Sequence, residues 1–214
     1  MPTDFGPENY VVTIDGHLQN LMTTLEVRNM VGHRSFFCIA TALGLALAVY
    51  SASGQSERGG TIAPTPSTGA GPEFMPDAPY LATLWRDGDP GERLMLTGRV
   101  LDTTGKPIAG AEVDVWQADG AGDYHPDAYR GRIKTDAAGK YAVRTAVPGN
   151  RFSAKHIHMI VNHDSHGSVT TRILFKGDPN LSEWERGSAI VLEETRVKDQ
   201  VVFVGTYDVV MPGL

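Results

Sequence analysis

The sequence predicts an all-β protein, a single β-sandwich. Three observations carry that expectation. Short apolar or alternating runs recur from residue 71 to the C-terminus. Turn signals such as Asp102-Thr-Thr-Gly-Lys-Pro107, Asp136-Ala-Ala-Gly139 and Pro148-Gly149 separate them. No long segment in that region shows the 3.6-residue period of an amphipathic helix.

The elements follow in order along residues 71–214. Leu94 to Leu101 reads as a strand that stops at the turn beginning with Asp102. Ala111 to Trp116 alternates, with Val113 and Val115 on one face and Glu112, Asp114 and Trp116 on the other. Lys140 to Thr145 is a third strand. His156 to Asn162, Thr170 to Phe175 and Val201 to Met211 complete the set. Glu183 to Glu185 reads as one short helical turn, and no internal repeat is visible.

The chain ahead of this domain has a different character. Phe36 to Tyr50 is an apolar, uncharged run behind His33 and Arg34, and small residues follow from Ser51 to Gly54. This is the layout of a secretory signal peptide, and it is short for a membrane span of about 20 residues. It lies deep in the chain, and Met30 sits just before the basic residues. Residues 1–29 therefore read as an extension outside the native fold, and 30–54 as a signal peptide or an uncleaved N-terminal anchor. The expected location is secreted, periplasmic or cell-envelope, with membrane contact only through such an anchor. Residues 55–70, rich in Gly, Pro, Ser and Thr, read as a flexible linker.

Composition removes several function classes. Charged residues make up 21% and hydrophobic residues 41%, which is ordinary globular usage. A net charge of −6 argues against a nucleic-acid partner, which calls for a basic patch. Cys38 is the only cysteine, so internal disulfides and CxxC metal or redox sites are excluded. Oligomeric state is left open.

The chemistry concentrates in His156-Ile157-His158. On a strand, residues i and i+2 share a face, so two imidazoles project side by side from one rigid element. That is a pair of metal ligands, or else two surface histidines on an edge strand.

The surrounding residues favour the ligand reading. The stretch Gly98 to Gln117, then Gly122-Asp-Tyr124-His125, Thr135 to Tyr141, Pro148-Gly149, His156-Ile-His158, Leu174 to Pro179 and Tyr207 to Val210 resembles the intradiol ring-cleavage dioxygenases. Protocatechuate and catechol dioxygenases are known members. Gly71-Pro72-Glu73-Phe74 resembles the family's G-P-F-Y. The first half is shared with other β-sandwiches; Trp116-Gln117, Tyr124 and the H-I-H triplet are more specific.

The resemblance implies a β-sandwich of the intradiol dioxygenase type that binds Fe(III) through two histidines and two tyrosines. A catechol-like small molecule and O₂ would be the substrates, and the ring would open between its two hydroxyl-bearing carbons. Tyr124 matches the tyrosine that stays on the iron, and His156 and His158 match the imidazole ligands. The second tyrosine, which in the family also serves as a base, has no match. Pro148-Gly-Asn-Arg-Phe-Ser-Ala-Lys-His156 places Asn150 or Arg151 there, in a loop one residue short, and Ser153 where an arginine is usual. Arg172 falls where members often carry Gln. Arg151 and Arg172 are candidates for the cation that steadies the substrate.

Other residues have lesser claims. Tyr129 is a candidate replacement for the missing tyrosine. Tyr141 and Trp116 read as core. His125, His163 and His166 read as loop residues, with His163 a conceivable further ligand. Two functions fit: a secreted intradiol-type dioxygenase, or a non-catalytic metal-binding or envelope-associated sandwich.

Overall fold

The computed structural model describes residues 60–214 apart from 72, 151 and 152. The extension 1–29, the signal-like segment 30–54, residues 55–59 and Arg151 lie outside the described residues.

Nine strands form two sheets. They are β1 (Arg93–Leu101), β2 (Glu112–Gln117), β3 (Arg130–Lys134), β4 (Lys140–Ala146), β5 (His156–His163), β6 (Gly167–Leu174), β7 (Glu193–Val197), β8 (Gln200–Thr206) and β9 (Val209–Val210). One sheet is antiparallel, in the order β3-β2-β5-β6. The other runs β4-β1-β8-β7, with β9 also beside β1; β8 and β9 lie parallel to β1. The all-β sandwich is as the sequence predicts.

The core explains the alternation. Val113 and Val115 of β2, and Ile157, Met159 and Val161 of β5, are buried in one cluster with Leu94, Leu96 and Val143 of the second sheet. Each such side chain contributes about 1.5–3 kcal/mol by leaving water. Because strand side chains alternate, Trp116, His156 and His158 must take the opposite face. That face is covered as well. Phe74 packs on Trp116 with ring centroids 5.0 Å apart, and Asp114 and Trp116 are buried. The sequence pattern had placed those positions simply opposite the valines.

Differences from the expected elements have local causes. β3 reads Arg-Gly-Arg-Ile-Lys, with no apolar alternation to announce it. It forms because Arg132 pairs with Asp114 of β2 on one side and exchanges backbone hydrogen bonds with Pro79 and Leu81 on the other. β7 is exposed at every position and pairs only with β8. The run Val201 to Met211 is two strands, because Asp208 interrupts it: its carboxylate accepts the Arg99 backbone N–H at 2.8 Å. The short helical turn is a 3-10 turn at Glu185–Gly187.

Residues from 60 onward follow the sandwich rather than leaving it. Ile62 N–H donates to Thr103 O (2.7 Å), Thr65 N–H to Val210 O (2.9 Å) and Thr68 N–H to Thr170 O (2.7 Å). This strap ends at Gly71, beside His158 of β5.

Candidate metal centre

Strand register builds the first part of the site. His158 lies directly opposite Trp116 on β2 and Arg172 on β6, so these three side chains form a row across three strands. The Trp116 indole stacks on the His158 ring, with centroids 4.9 Å apart and planes within 5°. Its neighbour Gln117 is fully buried and donates to Ala118 O and Ala146 O while accepting from Thr145. The Trp-Gln pair thus orients one ligand and ties the end of β2 to the end of β4.

A loop brings in the tyrosine. Asp119, 6% exposed, accepts the backbone N–H groups of Ala121 (2.8 Å) and Asp123 (2.9 Å) through Oδ1. Its Oδ2 lies 2.9 Å from His125 Nε2. Burial raises the Asp119 pKa, but the hydrogen bonds from Asp123, His125 and Ala121 outweigh it and hold the carboxylate ionised. This side-chain turn sets the path into Tyr124. Gly149 packs so closely on the loop that an added Cβ would sit 2.5 Å from Gly122 N. That contact accounts for the glycine of Pro148-Gly149. Asp119 was not singled out from the sequence; the run Asp119-Gly-Ala-Gly122-Asp is the turn signal that marks it.

Three donor atoms converge. His156 Nε2 lies 3.0 Å from His158 Nε2 and 3.3 Å from the Tyr124 hydroxyl. His156 Nδ1–H donates to Ala154 O at 2.7 Å, since a carbonyl only accepts, and the Nε2 lone pair therefore faces the cluster. Burial holds the His156 pKa below its usual value. Burial, then the neighbouring His156 and Arg172, drives that of His158 down to about 3. Both imidazoles are neutral at physiological pH, the form that ligates metals. Burial, with Glu73 assisting and Arg172 opposing, pushes the Tyr124 phenol up to about 12. Separations of about 3.0–3.4 Å are what donors about 2.1 Å from a shared cation would have. Two neutral imidazoles and one phenol fit such an ion; binding would ionise the phenol.

The donors line an open cavity of about 640 Å³. Arg172 reaches it from β6, 3.4 Å from Glu185 of the 3-10 turn. Asn150 and Ser153 line it where the second tyrosine and the arginine were sought, and Tyr124 is the only tyrosine among the described lining residues. Glu73 lines it too, and sequence reasoning assigned it no role. Arg151 is not among the described residues.

The remaining sequence candidates lie elsewhere. Tyr129 is 3% exposed, does not line the cavity and packs beside His125 at 6.1 Å, so it is not placed to replace a tyrosine ligand. His125 is on the surface side of its loop, held by Asp119. His163 sits at the far end of β5 and faces His166 across the turn at 3.1 Å. Tyr141 is core, its hydroxyl donating to Tyr207 O at 2.5 Å. Among the described residues, no three His, Cys, Asp or Glu side chains gather to hold a metal, and the oxygen group beside the two histidines is the Tyr124 phenol.

Known proteins resemble this chain in sequence and fold. A family model described as Dioxygenase covers residues 70–211. The beta chain of protocatechuate 3,4-dioxygenase from Burkholderia cepacia is 40% identical over 119 residues, covering 45% of this chain and 51% of that one. Catechol 1,2-dioxygenase from Pseudomonas arvilla C-1 superposes with a TM-score of 0.66 at 27% identity, over 70% of this chain and 62% of that structure. The dioxygenase domain of a dioxygenase–carbohydrate-binding fusion from Streptomyces sp. SirexAA-E gives a TM-score of 0.61 at 30% identity, over 71% of this chain and all of that one. The chain spans about half the length of the curated relatives it matches. With residues 70–211 matched from end to end, the chain belongs to the intradiol ring-cleavage dioxygenase family.

Proposed function

We propose that this protein is an intradiol-type dioxygenase. It would open a catechol-like ring between its two hydroxyl-bearing carbons and place both atoms of O₂ in a muconate-type diacid. The observation that carries this reading is the meeting of Tyr124, His156 and His158 at one end of an open cavity. These three residues would hold the iron. Ferric iron, when bound, supplies a hard Lewis acid that acidifies a catechol and makes its ring electron-rich enough for O₂. Around it, Trp116 fixes the His158 plane, the Ala154 carbonyl fixes the His156 tautomer, and the Asp119 turn fixes the Tyr124 loop. Arg172, partly neutralised by Glu185, would stand beside the ring as the cation facing developing aryloxide charge.

Export belongs to the same proposal. The apolar run Phe36 to Tyr50 between Arg34 and Ser51 supports it, and the N-terminus of the exported protein would fall between Ser53 and Glu57. N-terminal sequencing tests this; an exported protein retaining residues 1–29 would refute it.

Asn150 in the cavity, with no second phenol among the described lining residues, favours a second reading: a metal-binding sandwich without turnover. Oxygen uptake by iron-loaded protein with a panel of catechols decides between the two. Stoichiometric uptake with a muconate-type product supports the dioxygenase. No uptake at any pH, with iron bound, supports the second reading.

A further inference from the structure

Resting on the dioxygenase reading, we propose that Glu73 is the proton acceptor for the bound catechol, in place of the absent second tyrosine. The strap positions it. Hydrogen bonds from Thr65 and Thr68 hold the segment to the sandwich, and Gly71 then turns with φ of +81° against the His158 ring. A β-carbon built on Gly71 would lie 3.1 Å from His158 Cε1 and 3.4 Å from both His158 Nε2 and Glu73 Oε2. Glu73 Oε2 and His158 Nε2 therefore both approach Gly71, and both residues line the cavity. Glu73 also adds to the pKa of Tyr124 and opposes the lowering at His156, which places its charge near both.

Proximity without ligation is the useful arrangement. Glu73, His156 and His158 do not gather as a metal-holding group, so Glu73 stands outside the donor set. Among the described residues it enters no ion pair. Among the described residues, the charged or titratable groups that share a cavity with it are Arg172 with its partner Glu185, Asp123 and Tyr124 on one loop, His156 and His158, and, in an adjoining cavity that Glu73 also lines, His125 and Arg130. Arg172 has a carboxylate partner already in Glu185. In the step, the first catechol O–H bond breaks, the proton passes to a Glu73 carboxylate oxygen, and the electron pair stays on the aryloxide; this is the proton that 4-nitrocatechol has already lost at neutral pH. No oxidant or reductant is involved. Glu73 thereby touches the substrate and qualifies as a catalytic residue.

The test compares two ligands on the iron-loaded full chain: catechol, and 4-nitrocatechol, which is already ionised at neutral pH. Binding is followed by the change in the visible spectrum, in wild type, Glu73→Gln and Glu73→Asp. In Glu73→Gln, formation of the catechol complex and turnover should fall about 10²–10⁴-fold at neutral pH. The loss should shrink as pH rises toward catechol ionisation. Binding of 4-nitrocatechol and iron content should stay at wild-type level, and Glu73→Asp should recover part of the loss. An equal loss for both ligands, or no loss for catechol, overturns the proposal. A fall in iron content overturns it too, since Glu73 would then be a ligand. A wild-type protein that binds neither catechol fails the dioxygenase reading itself, a result distinct from the others.

Discussion

The two walls of the cavity are built by opposite means. One wall is strand β5 with its neighbours, where His158 is fixed by backbone pairing on both sides in a row running from Trp116 to Arg172, and His156 by pairing with Leu174 of β6. The other is made of three loops: the strap through Gly71, the Asp119–His125 turn with Tyr124, and the segment after Pro148. The strand wall holds the two neutral imidazoles, His156 and His158. The loop wall holds the oxygen groups, Tyr124 and Glu73, and is where this chain departs from that pattern. Donors that must stay put sit on the sheet, and the residues that vary the chemistry sit on loops placed by it.

The largest effect should come from the strand wall. Replacing His156 and His158 together with Ala should remove most bound iron, since each supplies one of three donors. Metal analysis of the purified protein checks this, with circular dichroism to confirm that the sheet persists. Wild-type iron content in the double variant would place the site elsewhere.

Asp114, beneath the same wall, tests its stability. It sits on β2 between Ile160 of β5 and Arg132 of β3, with Oδ1 buried and unpartnered. Burial raises its pKa to about 6, with Arg132 and Arg130 opposing. Between its ordinary pKa of 3.8 and about 6, the folded state therefore holds a proton that the unfolded chain has lost. Stability falls as pH rises between these values and stays lower above them. Asp114→Asn removes that penalty and should stabilise the protein at pH 7 by on the order of 1–3 kcal/mol. At pH 4 it should change little. Denaturant titrations at both pH values check this, and an equal effect at both would refute the assignment.

The loop wall should give the smallest change. Gly71→Ala combines a positive φ with a contact on His158, and should cost about 1 kcal/mol. Iron affinity should drop a few-fold, because the crowded atom belongs to a ligand ring. Thermal melts with and without iron separate the two effects; an unchanged affinity would show that the strap does not bear on the metal.

The same division governs what could be read from the sequence. The sheet wall was legible: period-two alternation put both histidines on one face of a strand, and they share that face, opposite the core residues Ile157 and Met159. Strands without that signal were not. Arg130–Lys134 is held by edge pairing, and Glu193–Val197 by β8 alone. Composition suggested a free linker before residue 71, yet Thr65 and Thr68 dock through backbone N–H groups, which composition does not report. Tyr124 was found by resemblance, while the Asp119 turn that carries it was not. Tyr129 was a candidate by proximity in sequence; a φ of +55° and burial beside His125 turn it away from the cavity. Glu73 lay in a recognised motif, but nothing local to it tells that the strap delivers it beside His158.

The central claim is that Tyr124 joins the two histidines on one ferric ion. The visible absorption spectrum of iron-loaded Tyr124→Phe beside the wild type, with iron content measured on both, tests it most directly. The wild type should be purple-red from tyrosinate-to-iron charge transfer. The variant should keep its fold and the iron held by His156 and His158 while losing that band. An unchanged band in Tyr124→Phe would contradict the claim, as would an iron-loaded wild type with no such band.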